Sequence, residues 1–159
     1  MTKFSAKRVT RTHTIELAAP AQRVFPLFEP IGEKLWAEGW DPHMLYPASG
    51  ATQEGSVFTT QGHDSSTTIW TVIHFDPEKF QITYLRVTPD SNVVKVEIHC
   101  VGSQAETAQA RITYTFTALT EKGNQYVDQF TEAHYSHWIE FWGMAINHFL
   151  KHGTSLKHH

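Results

Sequence analysis

The chain is poor in the features that most directly announce chemistry. It has one cysteine, Cys100, so no internal disulfide is available, and a lone thiol fits a reducing compartment. Charge is sparse too. Charged residues are 18% of the chain and the formal net charge is −3, which offers no basic surface to nucleic acid and no polybasic patch to a membrane. No apolar run approaches the ~20 residues that a spanning helix needs. The opening stretch MTKFSAKRVTRTHTIEL carries basic residues but no apolar centre, so no secretory signal is read there. No glycine-rich phosphate loop follows a strand and no G-x-S-x-G elbow occurs, which leaves nucleotide binding and serine-hydrolase chemistry unsupported. Internal repeats, low-complexity segments and linkers are missing as well. A single soluble, cytoplasmic domain over residues 1–159 is expected, long enough to bury a real core.

What the chain does have is aromatic side chains, 13% of the total with five Trp. They gather in LWAEGW and in the last third. There are also 11 His, but they are scattered, and His158 and His159 at the very end are left out of the functional reading. From Thr120 to Gly153 the spacing predicts a long helix. Val127, Phe130, His134, Trp138, Phe141, Ala145 and Phe149 recur at steps of three or four and form one stripe. Thr120 can cap its start, and Gly153 can close its end in the left-handed conformation. Gly123 and Thr131 predict a weak first turn or a kink, with the firm part running from Glu132.

Upstream the pattern changes to period two. Arg8 to Ala18 alternates, with Val9, Arg11, His13, Ile15 and Leu17 on one face, and reads as a strand. Pro26 and Pro30 do not fit inside one continuous helix, so PAQRVFPLFEPIGEKLWAEG predicts two short ones, Ala21 to Phe28 and Gly32 to Glu38. HMLYP, SVFTTQG, TTIWTVIHFD, FQITYLRVT, VVKVEIHCV and TAQARITYTFTAL follow, separated by Gly, Pro, Ser and Asp, as strands of an antiparallel meander. A turn is read from Gly102 to Glu106. In the last strand Ala108, Ala110, Ile112, Tyr114, Phe116 and Ala118 oppose a Thr-rich face, the pattern of a sheet packed on one side and wet on the other.

An amphipathic helix and a sheet with one apolar face are most simply completed by wrapping the sheet around the helix. In its order of elements, in WAEGWDP after the paired short helices, and in YTFTALTEKGN leading into a long aromatic helix, the chain resembles the START/pollen-allergen (SRPBCC) superfamily. The bacterial polyketide cyclase/dehydratase-like group is the nearest in character. The resemblance covers nearly the whole chain and implies an α+β helix-grip fold. About seven antiparallel strands would curve around the C-terminal helix, with a ligand cavity between them. It says less about activity, because that fold carries binding proteins, lipid carriers, cyclases and chaperone activators.

The residues implied to line the cavity are Trp36 and Trp40 at its mouth, Phe58, Ile98, Tyr114 and Phe116 from strands, and His134, Trp138, Phe141 and Ala145 from the helix. Aromatic walls with a few polar atoms suit a small hydrophobic or aromatic molecule. The same rings, each burying ~150–250 Å², can instead fill the space themselves. His134 in the stripe, with Tyr114 to polarise a carbonyl, is the candidate acid–base pair of a cyclase or dehydratase-like lyase. A packed, hydrogen-bonded histidine is the plainer alternative. His134 and His137 could both reach one metal ion, with His13, His74 or His99 as a third ligand. The spacing is not HExxH and no Cys or carboxylate accompanies it, so neither a metal nor any other cofactor is expected. Asp41, after Trp40, reads as a turn residue. Arg86, if it points inward, would anchor a ligand carboxylate or phosphate; the pattern of LRV leaves its direction open. Cys100, mid-strand, reads as inert core. Binding of a small hydrophobic ligand is the leading expectation. The lyase is the alternative, and a chaperone-activator-type interaction module with an exposed apolar patch is the third.

Overall fold

Alternation and helical spacing translate directly into the architecture of the computed structural model, which describes residues 3–62 and 66–156. His158 and His159 lie outside the described residues. The strands are β1 (Arg8–Leu17), β2 (His43–Tyr46), β3 (Val57–Gln61), β4 (Thr67–Asp76), β5 (Gln81–Thr88), β6 (Asn92–Gln104) and β7 (Thr107–Ala118). They form one antiparallel sheet in the order β1-β7-β6-β5-β4-β3-β2. The sheet is curved. Irregular register between Val72 and His74, and between Gly102 and Gln104, adds local twist of the kind bulges supply.

The two faces of β7 behave as its alternation requires. Ala108, Ala110, Ile112, Tyr114, Phe116 and Ala118 are all buried. On the other face, threonines pair across to β1: Thr12 with Thr113 at 2.9 Å, Thr10 with Thr115 at 3.3 Å, and Arg8 donating to Thr117 at 2.7 Å. On β1, Ile15 and Leu17 are buried, while Arg11 and His13 are half-buried on the same side. These two meet the closing helices: His13 bonds Glu140 at 2.7 Å and Arg11 Nε donates to the Phe130 carbonyl at 2.8 Å.

The short helices differ from expectation. Residues Ala21–Val24 form α1, Phe25–Phe28 a 3-10 turn, and Pro30–Glu33 form α2. The second element starts at Pro30 rather than Gly32 and ends five residues before Glu38. Pro30 occupies the first turn, where no N–H is needed, and it forces the preceding Glu29 into an extended conformation (φ −77°, ψ 155°) that separates the two pieces.

The C-terminal helix is also two elements, α3 (Glu121–Asp128) and α4 (Glu132–His152). Thr120 caps α3, accepting from Gly123 N–H at 3.1 Å; Thr131 caps α4, accepting from His134 N–H at 3.2 Å. Gly153 closes α4 at φ 74°, its N–H donating to Phe149 at 2.7 Å. The expected kink is therefore a full break, and Arg11 satisfies the carbonyl it releases. Gly123 serves close packing rather than weakness: a Cβ there would lie 1.8 Å from the Ser91 carbonyl oxygen. Finally, the buried stripe of α4 is Tyr135, Ile139, Ala145 and Ile146, with Trp138 and Trp142 beside it. That is about one residue away in phase from the predicted His134–Trp138–Phe141 line, because the break resets the helical phase carried from Val127. The Gly102–Glu106 turn shrinks as well, since β6 continues through Gln104.

Candidate functional site

Between the inner face of the sheet and α4 the side chains do not close up. A cavity of about 340 Å³ remains, walled by Trp36, Trp40, Trp70, Trp138 and Trp142 together with Tyr84, Tyr114, Tyr126, Val96 and Ile98. That lies at the small end of the ~300–1,000 Å³ range of ligand pockets.

The walls hold their shape because the rings are fixed at both ends. Trp36 donates its indole N–H to Leu27 O at 2.7 Å, Trp40 to Pro30 O at 2.8 Å and Trp70 to Thr60 Oγ1 at 3.0 Å. The rings also lean on one another. Trp40 stands edge-on to Trp70 at 5.4 Å, Trp70 stacks on Phe58 at 5.5 Å, Tyr114 meets Trp138 at 5.1 Å, and Trp138 meets Trp142 at 5.2 Å. Such pairs add ~0.5–1.5 kcal/mol each beyond area burial, so collapse of the rings into the void would break favourable geometry.

Polar groups enter at a few points. Arg86, on β5, points inward with Ile82 and Tyr84. Its cross-strand partners are Trp70 and Val94, and its guanidinium carbon lies 5.6 Å from the Trp70 ring centre and 5.9 Å from that of Tyr114. Its Nη2 donates to Tyr126 Oη at 3.0 Å, while its Nε is buried without a hydrogen-bond partner. Glu33, on α2, lines the same space, and burial pushes its carboxyl well above the usual carboxylate range. Tyr84 donates to the Phe28 carbonyl at 2.6 Å. Its ionisation is pushed up by burial first, then by Glu33 and Glu29. Burial also raises Tyr114, against a smaller lowering by the Arg86 charge. Tyr84 and Tyr114 therefore hold their protons more tightly than free phenols do.

Of the residues that the sequence points to, Trp36, Trp40, Ile98, Tyr114 and Trp138 line the cavity. Phe58 backs the wall behind Trp70, and Phe116 stacks on Phe130 at 4.3 Å one layer away. Ala145 is buried against the sheet side of α4, and Phe141 is half-buried; neither lines the cavity. His134 is a correction. It is exposed on the first turn of α4 with its ring against Phe130 at 5.6 Å, and the structure does not bring it together with Tyr114 in the cavity. The histidines considered as a metal set are dispersed: His13 is bonded to Glu140, while His74 and His99 lie on a groove of the outer sheet face. Cys100 is buried and its thiol is pushed up to about 12 by burial, as an inert core thiol should be.

Sequence reasoning missed Glu33, Trp70, Tyr84, Tyr126 and Trp142. A signal existed for some of them. Ile82, Tyr84 and Arg86 share one parity in QITYLRV, and their partners Val94 and Val96 fall on the apolar parity of β6, which settles the direction of Arg86. Trp142 lies one turn beyond Trp138. Nothing comparable marks Glu33, because a four-residue helix has no period to read.

No protein-family model matches the chain, and no curated protein sequence matches it. Solved structures do. Norcoclaurine synthase of Thalictrum flavum aligns with a TM-score of 0.67 at 13% identity, over 96% of this chain and 100% of that one. The same synthase has been solved with dopamine and hydroxybenzaldehyde, matching at a TM-score of 0.66 and 13% identity over 93% of this chain and 90% of that one. The Zhui aromatase/cyclase of Streptomyces sp. R1128 aligns at 0.66 and 15% identity, over 96% and 100%. Ara h 8.0201 aligns at 0.62 and 13%, over 91% and 99%. Identities this low speak for the fold. The chain shares their helix-grip fold.

Proposed function

We propose that the protein binds a small aromatic molecule in the cavity between the sheet and α4. One observation carries this: five indoles and three phenols surround about 340 Å³ of space that they do not fill, although they are long enough to fill much more. A rigid void of that kind is costly to keep unless something occupies it. The volume suits one or two fused rings, and the few polar groups suit an oriented ligand rather than a lipid tail. That the structurally similar norcoclaurine synthase has been solved with dopamine and hydroxybenzaldehyde supports a small aromatic guest.

The lyase reading loses its histidine, since His134 lies outside the cavity. Glu33 is an acid–base group that the cavity does hold, within electrostatic reach of Tyr114. Binding stands without any turnover, and it is the reading proposed.

Calorimetric titration with 2-naphthol tests it. Saturable one-to-one binding is expected. Ala37→Trp, which adds bulk at a partly exposed position on the cavity wall, should weaken it by about tenfold or more while leaving the circular dichroism spectrum intact. Absence of saturable binding by both 2-naphthol and 2-naphthoate would sink the proposal.

A further inference from the structure

We infer that the guest is a monoanion, a small aromatic ring bearing one carboxylate that Arg86 holds; this rests on the binding reading above. Arg86 is the starting point because its surroundings are incomplete. One nitrogen, Nη2, donates to Tyr126, and the rings of Trp70 and Tyr114 stand near the guanidinium carbon. The Nε–H is buried with nothing to receive it. Among the described residues, no ion pair joins Arg86 to a carboxylate; the pairs present use Lys7, Arg11, His13, His74 and Lys95.

Two carboxyls also line the cavity, Glu38 at its exposed rim and Glu33 deeper in, and Glu33 does not supply the counter-charge. Burial holds the Glu33 carboxyl towards its neutral form. The cavity thus presents a fixed cation on the sheet side and, on the short-helix side, a carboxyl whose ionisation burial disfavours. An arginine that lines the cavity without a carboxylate partner offers a planar guanidinium that matches the two in-plane oxygens of a ligand carboxylate. The aromatic walls then take the attached ring.

A second pocket gives the orientation. Arg86 and Tyr126 also line a polar hollow of about 440 Å³ with Thr68, Thr88, Lys122 and Gln125. Lys122 places a second positive charge on that side. The carboxylate end therefore faces Arg86 and the polar hollow, and the ring faces Trp138 and Trp142. Glu33, when protonated, is free to donate to a hydroxyl or carbonyl on the ring.

The test pairs two probes of nearly equal shape, 2-naphthoate and its neutral amide 2-naphthamide, titrated calorimetrically into the full chain at neutral pH. The wild type should bind the carboxylate about tenfold or more tightly than the amide. Arg86→Met should erase that preference, with carboxylate affinity falling about tenfold and amide affinity nearly unchanged. Arg86→Lys, which keeps the charge but not the fork, should fall between the two. Should Arg86→Met fail to fold, Arg86→Lys and the wild-type probe pair decide the matter. Amide binding as tight as carboxylate binding in the wild type overturns the anion inference and leaves the binding proposal standing. If neither probe binds, the anion inference falls, and the binding proposal falls with it only when 2-naphthol also fails to bind.

Discussion

Glu33 is the single residue whose titration the fold changes most usefully. Burial raises its folded-state pKa above the unfolded value, so the folded protein holds the proton more tightly than the unfolded chain does. The stability tied to that proton is fully present below the ordinary carboxylate range and is lost as pH rises through the folded value. Glu33→Gln keeps a neutral group of the same shape and removes this dependence. The variant should melt at the same temperature as the wild type in acid and above it at neutral and mildly alkaline pH, the gap opening steadily between. Melting temperatures of both proteins across that range check it; a gap that is constant or that closes with rising pH refutes the buried carboxyl. Legibility at this scale was uneven. Trp36, Trp40, Ile98, Tyr114 and Trp138 were readable as cavity wall because each sits on an apolar parity or helical stripe. His134 was misread because one residue of phase error on a helix, about 100°, moves a side chain from the wall to solvent.

The elements that set the cavity's boundaries are short and depend on close approach. Helix α3 touches the β5–β6 turn through Gly123, where a Cβ would lie 1.8 Å from the Ser91 carbonyl oxygen. Backbone on both sides leaves nothing flexible to yield. Gly123→Ala should therefore cost about 2–3 kcal/mol, measured by urea denaturation, although alanine favours helices. A neutral or stabilising result would mean that α3 does not dock there. Because Tyr126 is carried by α3, loosening this helix should also disturb the Arg86–Tyr126 hydrogen bond. The break between α3 and α4 shows why element bounds were only partly legible. Thr120, Thr131 and Gly153 announce caps and stops through their own chemistry. The hydrogen bond that Arg11 donates to the Phe130 carbonyl joins residues 119 apart in sequence, and no local pattern encodes it.

At the scale of the whole molecule, a ligand that fits the cavity touches β4 to β7, the short helices, α3 and α4 together. It should stabilise the protein globally rather than locally. At a concentration one hundred times its dissociation constant, a guest such as 2-naphthoate should add about 2.7 kcal/mol and raise the melting temperature accordingly. A thermal shift that saturates with the calorimetric isotherm confirms the linkage; binding without any shift places the guest on a surface that persists on unfolding. The sequence alone determined the order of the strands, the inward face of β7 and the caps at Thr120 and Gly153, since these follow from period, propensity and local hydrogen bonding; the helix-grip architecture came from the family resemblance. Tertiary structure alone decided that the aromatic side chains leave a cavity, and that Glu33 lines it while His134 lies outside. The reason is physical: a cavity is the difference between two large volumes, backbone curvature and side-chain packing. A change of one residue in phase or one bulge in register alters that difference without altering any pattern that can be read along the chain.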